Sequence, residues 1–203
     1  MSTCMRYHWY WRPGWQPGTR FYTFHVTWRD QPGVQKLGER ARERLAGIPG
    51  LDPVPGEWLH LTMQGVGFAH KVSDADVEAI TAAARARLAS VAPVGVVLPP
   101  PRAASEGVAT RAVPAGVLDR VRDAARAAIG DVWGTESVPE SIAWTPHVSF
   151  AYASADGPAA PVNAVLYGLP GVVAAVRAVD LILLGRDRRI YEWETISRLP
   201  LGA

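Results

Sequence analysis

Two histidines, His60 and His147, each stand two positions before a hydroxyl residue, in His60-Leu61-Thr62-Met63 and His147-Val148-Ser149-Phe150. Both strings read histidine, apolar, hydroxyl, apolar, and they lie 87 positions apart. An imidazole titrates near neutrality, so it can accept or release a proton at physiological pH. A hydroxyl beside it can donate a hydrogen bond to a phosphoryl oxygen. Two such pairs meeting across a cleft would supply a general base, a general acid and two donors. That set suits phosphoryl transfer without a metal.

Alternation of apolar and polar residues predicts a strand at each string. Leu59, Leu61 and Met63 point one way, and Trp58, His60, Thr62 and Gln64 the other. Val148 and Phe150 likewise oppose His147 and Ser149. Short motifs arise by accident, however. With five histidines and 19 Ser or Thr in 203 residues, about half of one His-x-Ser/Thr match is expected by chance. Three occur, the third being His25-Val26-Thr27. A histidine on a half-exposed strand face needs no chemical role.

Context separates the candidates. Residues 33–47 predict a helix with Val34, Leu37, Ala41 and Leu45 on one stripe, then a Pro/Gly loop over 48–56, then the His60 strand. Residues 115–129 predict a helix with Leu118, Val121, Ala125 and Ile129 on one stripe, then a loop through Gly130, Gly134 and Pro139, then the His147 strand. A tryptophan closely precedes each motif, Trp58 and Trp144. A repeated helix–loop–strand unit points to internal duplication. His25 instead sits on what reads as an opening strand over 21–28, ahead of the first helix.

With these two motifs, the chain resembles the 2H phosphoesterase superfamily, which includes bacterial 2′-5′ RNA ligase-like proteins and RNA 2′,3′-cyclic phosphodiesterases. Trp58-Leu-His60-Leu-Thr62-Met63 and Thr145-Pro-His147-Val-Ser149-Phe150 fit its paired motifs, and the order of elements fits from about residue 20 to 201. The resemblance implies an α+β fold of two pseudo-symmetric lobes, each an antiparallel sheet with helices outside, and a catalytic cleft between them. It implies one bilobal domain over residues 1–203, with interleaved lobes carrying the motifs near 58–65 and 144–152; the aromatic N-terminal extension over 1–19 is not part of the family's general pattern. His60 and His147 would be catalytic, one as base and one as acid, in an order the residues leave open. Thr62 and Ser149 would bind the substrate phosphate. Candidate substrate contacts are His25, Trp144 and Tyr152, with Phe68 as a further aromatic and Arg20, Arg102 and Arg186 as cations. The substrate would be an RNA terminus, a short oligonucleotide or a small cyclic phosphate. Alternatives are a non-catalytic nucleotide- or RNA-binding module, or an enzyme for a non-nucleotide phosphoester. No cofactor, metal, membrane or obligate protein partner is expected.

Composition bounds the same picture. Hydrophobic residues make up 48% and charged residues 20% of the chain, ordinary for one globular domain. A net charge of +2 is too small for an overall grip on long nucleic acid, so any RNA contact should be local. A single cysteine, Cys4, rules out an intramolecular disulfide and suits a reducing compartment. No apolar run has transmembrane length, and the start of the chain does not read as a secretory signal, so the cytoplasm is expected. Neither a phosphate loop with lysine nor Cys/His spacing for zinc occurs.

The remaining segments carry weaker expectations. Residues 5–17 hold three of the eight tryptophans, which suits a strap over the core, a stacking wall for a base or a lid. Ser73 should cap a helix running to about Val91. Residues 94–98 and 107–113 read as a strand pair, 151–161 as a loop, 163–169 as a short helix, 172–184 as one β segment and 190–199 as its returning partner.

Overall fold

The computed structural model describes residues 3–140 and 144–202. The first half runs β1 (Cys4–Met5), β2 (Phe21–Thr27), α1 (Pro32–Leu45), β3 (Leu51–Pro53), β4 (His60–Phe68) and α2 (Asp74–Ala89). Next come β5 (Val94–Leu98), β6 (Arg102–Ala104), β7 (Gly107–Arg111) and α3 (Asp119–Trp133). The second motif then opens β8 (His147–Ala153), followed by β9 (Gly157–Pro158), α4 (Ala159–Leu166), β10 (Val172–Val176), β11 (Ala178–Gly185) and β12 (Glu192–Pro200).

Two four-stranded antiparallel sheets hold the motifs apart. One has the order β12-β11-β2-β4 and carries the first motif on β4. The other has the order β3-β8-β7-β6 and carries the second on β8. The helices cross over between them. α1 packs on β8 and β3 of the second sheet and against α4, whereas α3 packs on β4 of the first sheet and against α2. The helix preceding each motif therefore packs on the sheet that bears the other motif, whereas α2 packs on β12 and α4 on β6. The apolar stripes are those expected: Val34, Leu37, Ala41 and Leu45 of α1, and Val121, Ala125 and Ile129 of α3, are buried. Among the described residues no helix is long and apolar enough to cross a membrane.

α2 begins where the sequence places it. The Ser73 hydroxyl accepts from the Asp76 amide at 3.1 Å, and the Asp76 carboxylate accepts from the Ser73 amide at 3.1 Å. This closes a reciprocal cap on two otherwise orphaned amides. The same carboxylate accepts from Trp133 Nε1 at 2.9 Å, tying α2 to the end of α3. Ser73→Ala should cost about 1 kcal/mol of stability, read by urea denaturation, with no change in activity. A cost near zero would show that water replaces the cap.

Several expectations need correction. The 94–98 strand pairs with β10, and only an isolated Val97–Val113 bridge joins it to the end of the 107–113 segment. β7 pairs with β8 and β6 instead. The 172–184 run breaks at Arg177 into β10 and β11, which serve different sheets. The run is apolar apart from Arg177 and Asp180, and such a pattern does not say where the chain turns. The short helix starts at Ala159 rather than Asn163, and β8 extends to Ala153 into the expected loop.

The pairing of β4 is also irregular. His25 of β2 faces Thr62, but Phe24 faces Gln64, so Met63 is an inserted residue. In the other sheet Ala109 faces Ser149 and Val108 faces Ala151, so Phe150 is inserted. A β-bulge thus falls on the fourth residue of both motifs, and each bulge reverses the facing of the residues beyond it. Strict alternation predicts Gln64 beside His60 and Thr62. The bulge turns it inward, where it accepts from Arg122 and Arg126 at 3.3 and 3.1 Å and donates to the Pro139 carbonyl at 2.8 Å. On β8 the same device brings Tyr152 onto the face of Ser149.

Candidate active site

Both motif imidazoles are fixed in the same way. His60 Nδ1 lies 2.8 Å from the Trp58 carbonyl, and His147 Nδ1 lies 2.8 Å from the Thr145 carbonyl. A carbonyl oxygen can only accept, so each Nδ1 carries a hydrogen and donates it. When neutral, each ring then presents a bare Nε2 lone pair; when protonated, it presents an Nε2–H. The two halves repeat the motif, its bulge and this backbone tether.

His60 is half-buried, with its ring parallel to His25 at 4.4 Å and 2°. It meets Trp193 and Tyr191 edge-on at 5.3 and 6.1 Å. Burial pushes its pKa down to about 4 against the ordinary 6.5; the Trp58 hydrogen bond opposes this, and the charge of a protonated His147 adds to it. His60 is therefore neutral at pH 7, and it lies within electrostatic reach of His147. The latter is exposed.

The hydroxyls flank the imidazoles. Thr62 is exposed, and its Oγ1 is 3.1 Å from His25 Nε2. Its carbonyl accepts from Trp144 Nε1 at 3.0 Å. The segment entering the second motif is thereby pinned to the first motif. Arg122 lies 4.9 Å over the Trp144 ring. Ser149 is half-buried and shares its face of β8 with Tyr152, whose phenol burial raises well above its usual pKa.

Two of the expected substrate contacts are buried. His25 is 1% exposed and Tyr152 is 7% exposed. His25 lies beside Thr62, and Tyr152 shares the face of Ser149. Tyr152 is covered by the N-terminal strap, stacked on His8 at 4.3 Å. Trp144 is half-buried, with its indole nitrogen committed to Thr62. Of the candidate cations, Arg20 is paired with Asp187 at 2.8 Å, and Arg102 is exposed at the start of β6. Arg186 is 3% exposed, about equally distant from the rings of Trp9, Trp11, Trp15 and Tyr191 at 5.4–5.8 Å.

Several residues around the site escape sequence reasoning. Tyr191 and Trp193 wall the His60 ring; their alternation on one face of the closing strand is the available signal. His8 bridges Glu106 at 2.7 Å and the Tyr191 hydroxyl at 3.0 Å, and Arg12 donates to Glu106 at 2.9 Å. Nothing in the local pattern marks either one. The strap residues Met5, His8 and Trp9 are buried, whereas Tyr7, Tyr10 and Trp11 remain exposed. Among the described residues no three His, Cys, Asp or Glu side chains come together as a metal site requires.

Comparison with known proteins places this arrangement. Residues 30–188 match the model of the 2′-5′ RNA ligase superfamily. TT0787 of Thermus thermophilus superposes with a TM-score of 0.70 at 18% identity, over 90% of this chain and 98% of that one. Escherichia coli LigT complexed with ATP gives 0.63 at 17% identity, and LigT complexed with 3′-AMP gives 0.64 at 16%, each over 91% of this chain and 99% of that one. No curated protein matches the sequence. The solved structures share the two-lobed fold, and the family model spans most of the chain, both motifs included. The chain belongs to the 2′-5′ RNA ligase superfamily.

Proposed function

We propose that the protein is a metal-independent phosphodiesterase that acts on RNA ends or small nucleotides, at a 2′,3′-cyclic phosphate or a 2′-5′ linkage. The observation that carries this reading is the shared tether. Two imidazoles from two halves both have Nδ1 committed to backbone, with Nε2 left for chemistry. The nucleotides held by LigT support a nucleotide ligand.

In this mechanism neutral His60 accepts a proton from water as the water oxygen bonds to phosphorus. The bond from phosphorus to one ribose oxygen breaks, and His147 delivers the proton that the leaving oxygen needs. Thr62 and Ser149 donate to the non-bridging oxygens, orienting the phosphoryl group and meeting its developing charge. His60 takes the base role because burial keeps it unprotonated at pH 7.

A first test is hydrolysis of 2′,3′-cyclic AMP, a 2′-5′ dinucleotide and a short RNA with a cyclic end, with a chelator present. Turnover of at least one supports the proposal. Turnover of cyclic sugar phosphates alone would move the substrate to a non-nucleotide ester, and binding without turnover would leave a binding module.

The pH dependence follows from the same burial. A base must be deprotonated, so kcat/KM should fall as pH drops through the His60 pKa of about 4, not near the ordinary 6.5. An acid limb near 6.5 would remove His60 from the base role. Stability must be followed alongside. His25 and His60 are both held neutral by burial, whereas the unfolded chain protonates them at about 6.5. The unfolded state therefore binds more protons between those values, and stability is lost as pH falls below about 6.5. Intrinsic fluorescence at each pH separates this loss from the catalytic limb.

A further inference from the structure

The third histidine–hydroxyl string, His25-Val26-Thr27, lies on β2 directly beside the first motif and runs the opposite way. His25 faces Thr62, and Thr27 faces His60. The Thr27 hydroxyl is spent on the carboxylate of buried Asp180. His25 is not spent in that way. Its Nε2 is 3.1 Å from Thr62 Oγ1, its Nδ1 is buried with no hydrogen-bond partner, and its ring is stacked flat on His60.

We infer that His25 is a positioning residue, whose Nε2–H donates to Thr62 Oγ1 so that the threonine's own hydrogen is turned into the cleft toward a phosphoryl oxygen. The inference rests on the proposed role of Thr62 in binding the substrate phosphate.

The direction of this hydrogen bond comes from counting protons. Burial keeps His25 neutral, so the ring carries one N–H. Were Thr62 the donor, Nε2 would accept and the single N–H would sit on Nδ1, buried and unpaired. Orphaned buried N–H groups are rarer in folded proteins than under-used acceptors. With the proton on Nε2, the only unfilled position is the Nδ1 lone pair. Thr62 Oγ1 then accepts from behind and keeps its hydrogen for the exposed side. The stack on His60 fixes the ring that sets this direction. In the other half, buried Tyr152 shares the face of Ser149 on β8.

The test compares His25→Phe, which keeps the ring but has no donor, with His25→Gln, whose amide can place an N–H near the Nε2 position. His25→Phe should lower kcat on 2′,3′-cyclic AMP by roughly 10-fold with little change in KM, the scale of one hydrogen bond to a developing charge. His25→Gln should recover most of it. In a Thr62→Val background the His25→Phe change should add nothing, because it acts through the missing hydroxyl. A folded His25→Phe protein with wild-type kcat, beside an inactive His60→Ala protein, would overturn this inference and leave the two-histidine chemistry standing. An active His60→Ala protein would instead overturn the chemistry. If His25→Phe does not fold, long-range proton–nitrogen NMR on the wild type decides. Nε2 protonated with Nδ1 bare supports the inference, and the reverse tautomer sinks it.

Discussion

His60→Ala and His147→Ala should each lower kcat/KM on a susceptible cyclic nucleotide by at least about 100-fold, the low end for losing a general acid or base. The loss should appear in kcat, because proton transfer belongs to the transition state and not to ground-state binding. His147 is exposed, so its removal should leave the melting temperature close to wild type. His60 packs against His25, Trp193 and Tyr191, so its removal opens a gap and should lower stability as well. The double variant should lose little more than either single variant, since the two groups serve one displacement. Independent, multiplying losses would mean that the histidines do not act on the same step. Either single variant at full activity would exclude that residue from the chemistry.

Gly107→Ala should be the most damaging single methyl in the fold. Gly107 adopts φ +148°, and a Cβ there would lie 2.1 Å from the Ala151 carbonyl oxygen and 2.9 Å from the Tyr152 Cα. Both obstacles are backbone, so no rotamer change relieves them. β7 and β8 would have to separate where Gly107 faces Tyr152. The cost should be roughly 3 kcal/mol or more, a fall in melting temperature on the order of 6–12 °C for a chain of this size. Activity should fall too in whatever fraction stays folded, because β8 carries His147 and Ser149. An unchanged melting temperature would mean that β8 has slack at this point and that its register on β7 is not tight.

The parts of the molecule legible in the sequence are those fixed by local pattern. The strands of both motifs, the apolar stripes of α1 and α3 and the Ser73 cap follow from periodicity and capping chemistry within a few residues. The bulges at Met63 and Phe150 do not. A period of two assumes that no residue is inserted, so alternation assigns Gln64 to the wrong face and gives no link between Tyr152 and Ser149. The helix exchange is equally silent, because an amphipathic stripe shows that α1 has a buried face but not which sheet covers it. His8 and Arg186 gain their surroundings from residues more than a hundred positions away, such as Tyr191 for His8 and Trp9 for Arg186. His25 stands out in the sequence only as a motif match. Its position opposite Thr62 comes from the pairing of β2 with β4, which spacing along the chain cannot supply.

The most direct measurement is a crystal structure of the protein with 3′-AMP bound. The account predicts one phosphoryl group between the lobes, with His60 Nε2 and His147 Nε2 each about 3 Å from its oxygens and the Thr62 and Ser149 hydroxyls on the remaining ones. A phosphoryl group touched by one imidazole while the other points elsewhere would contradict it.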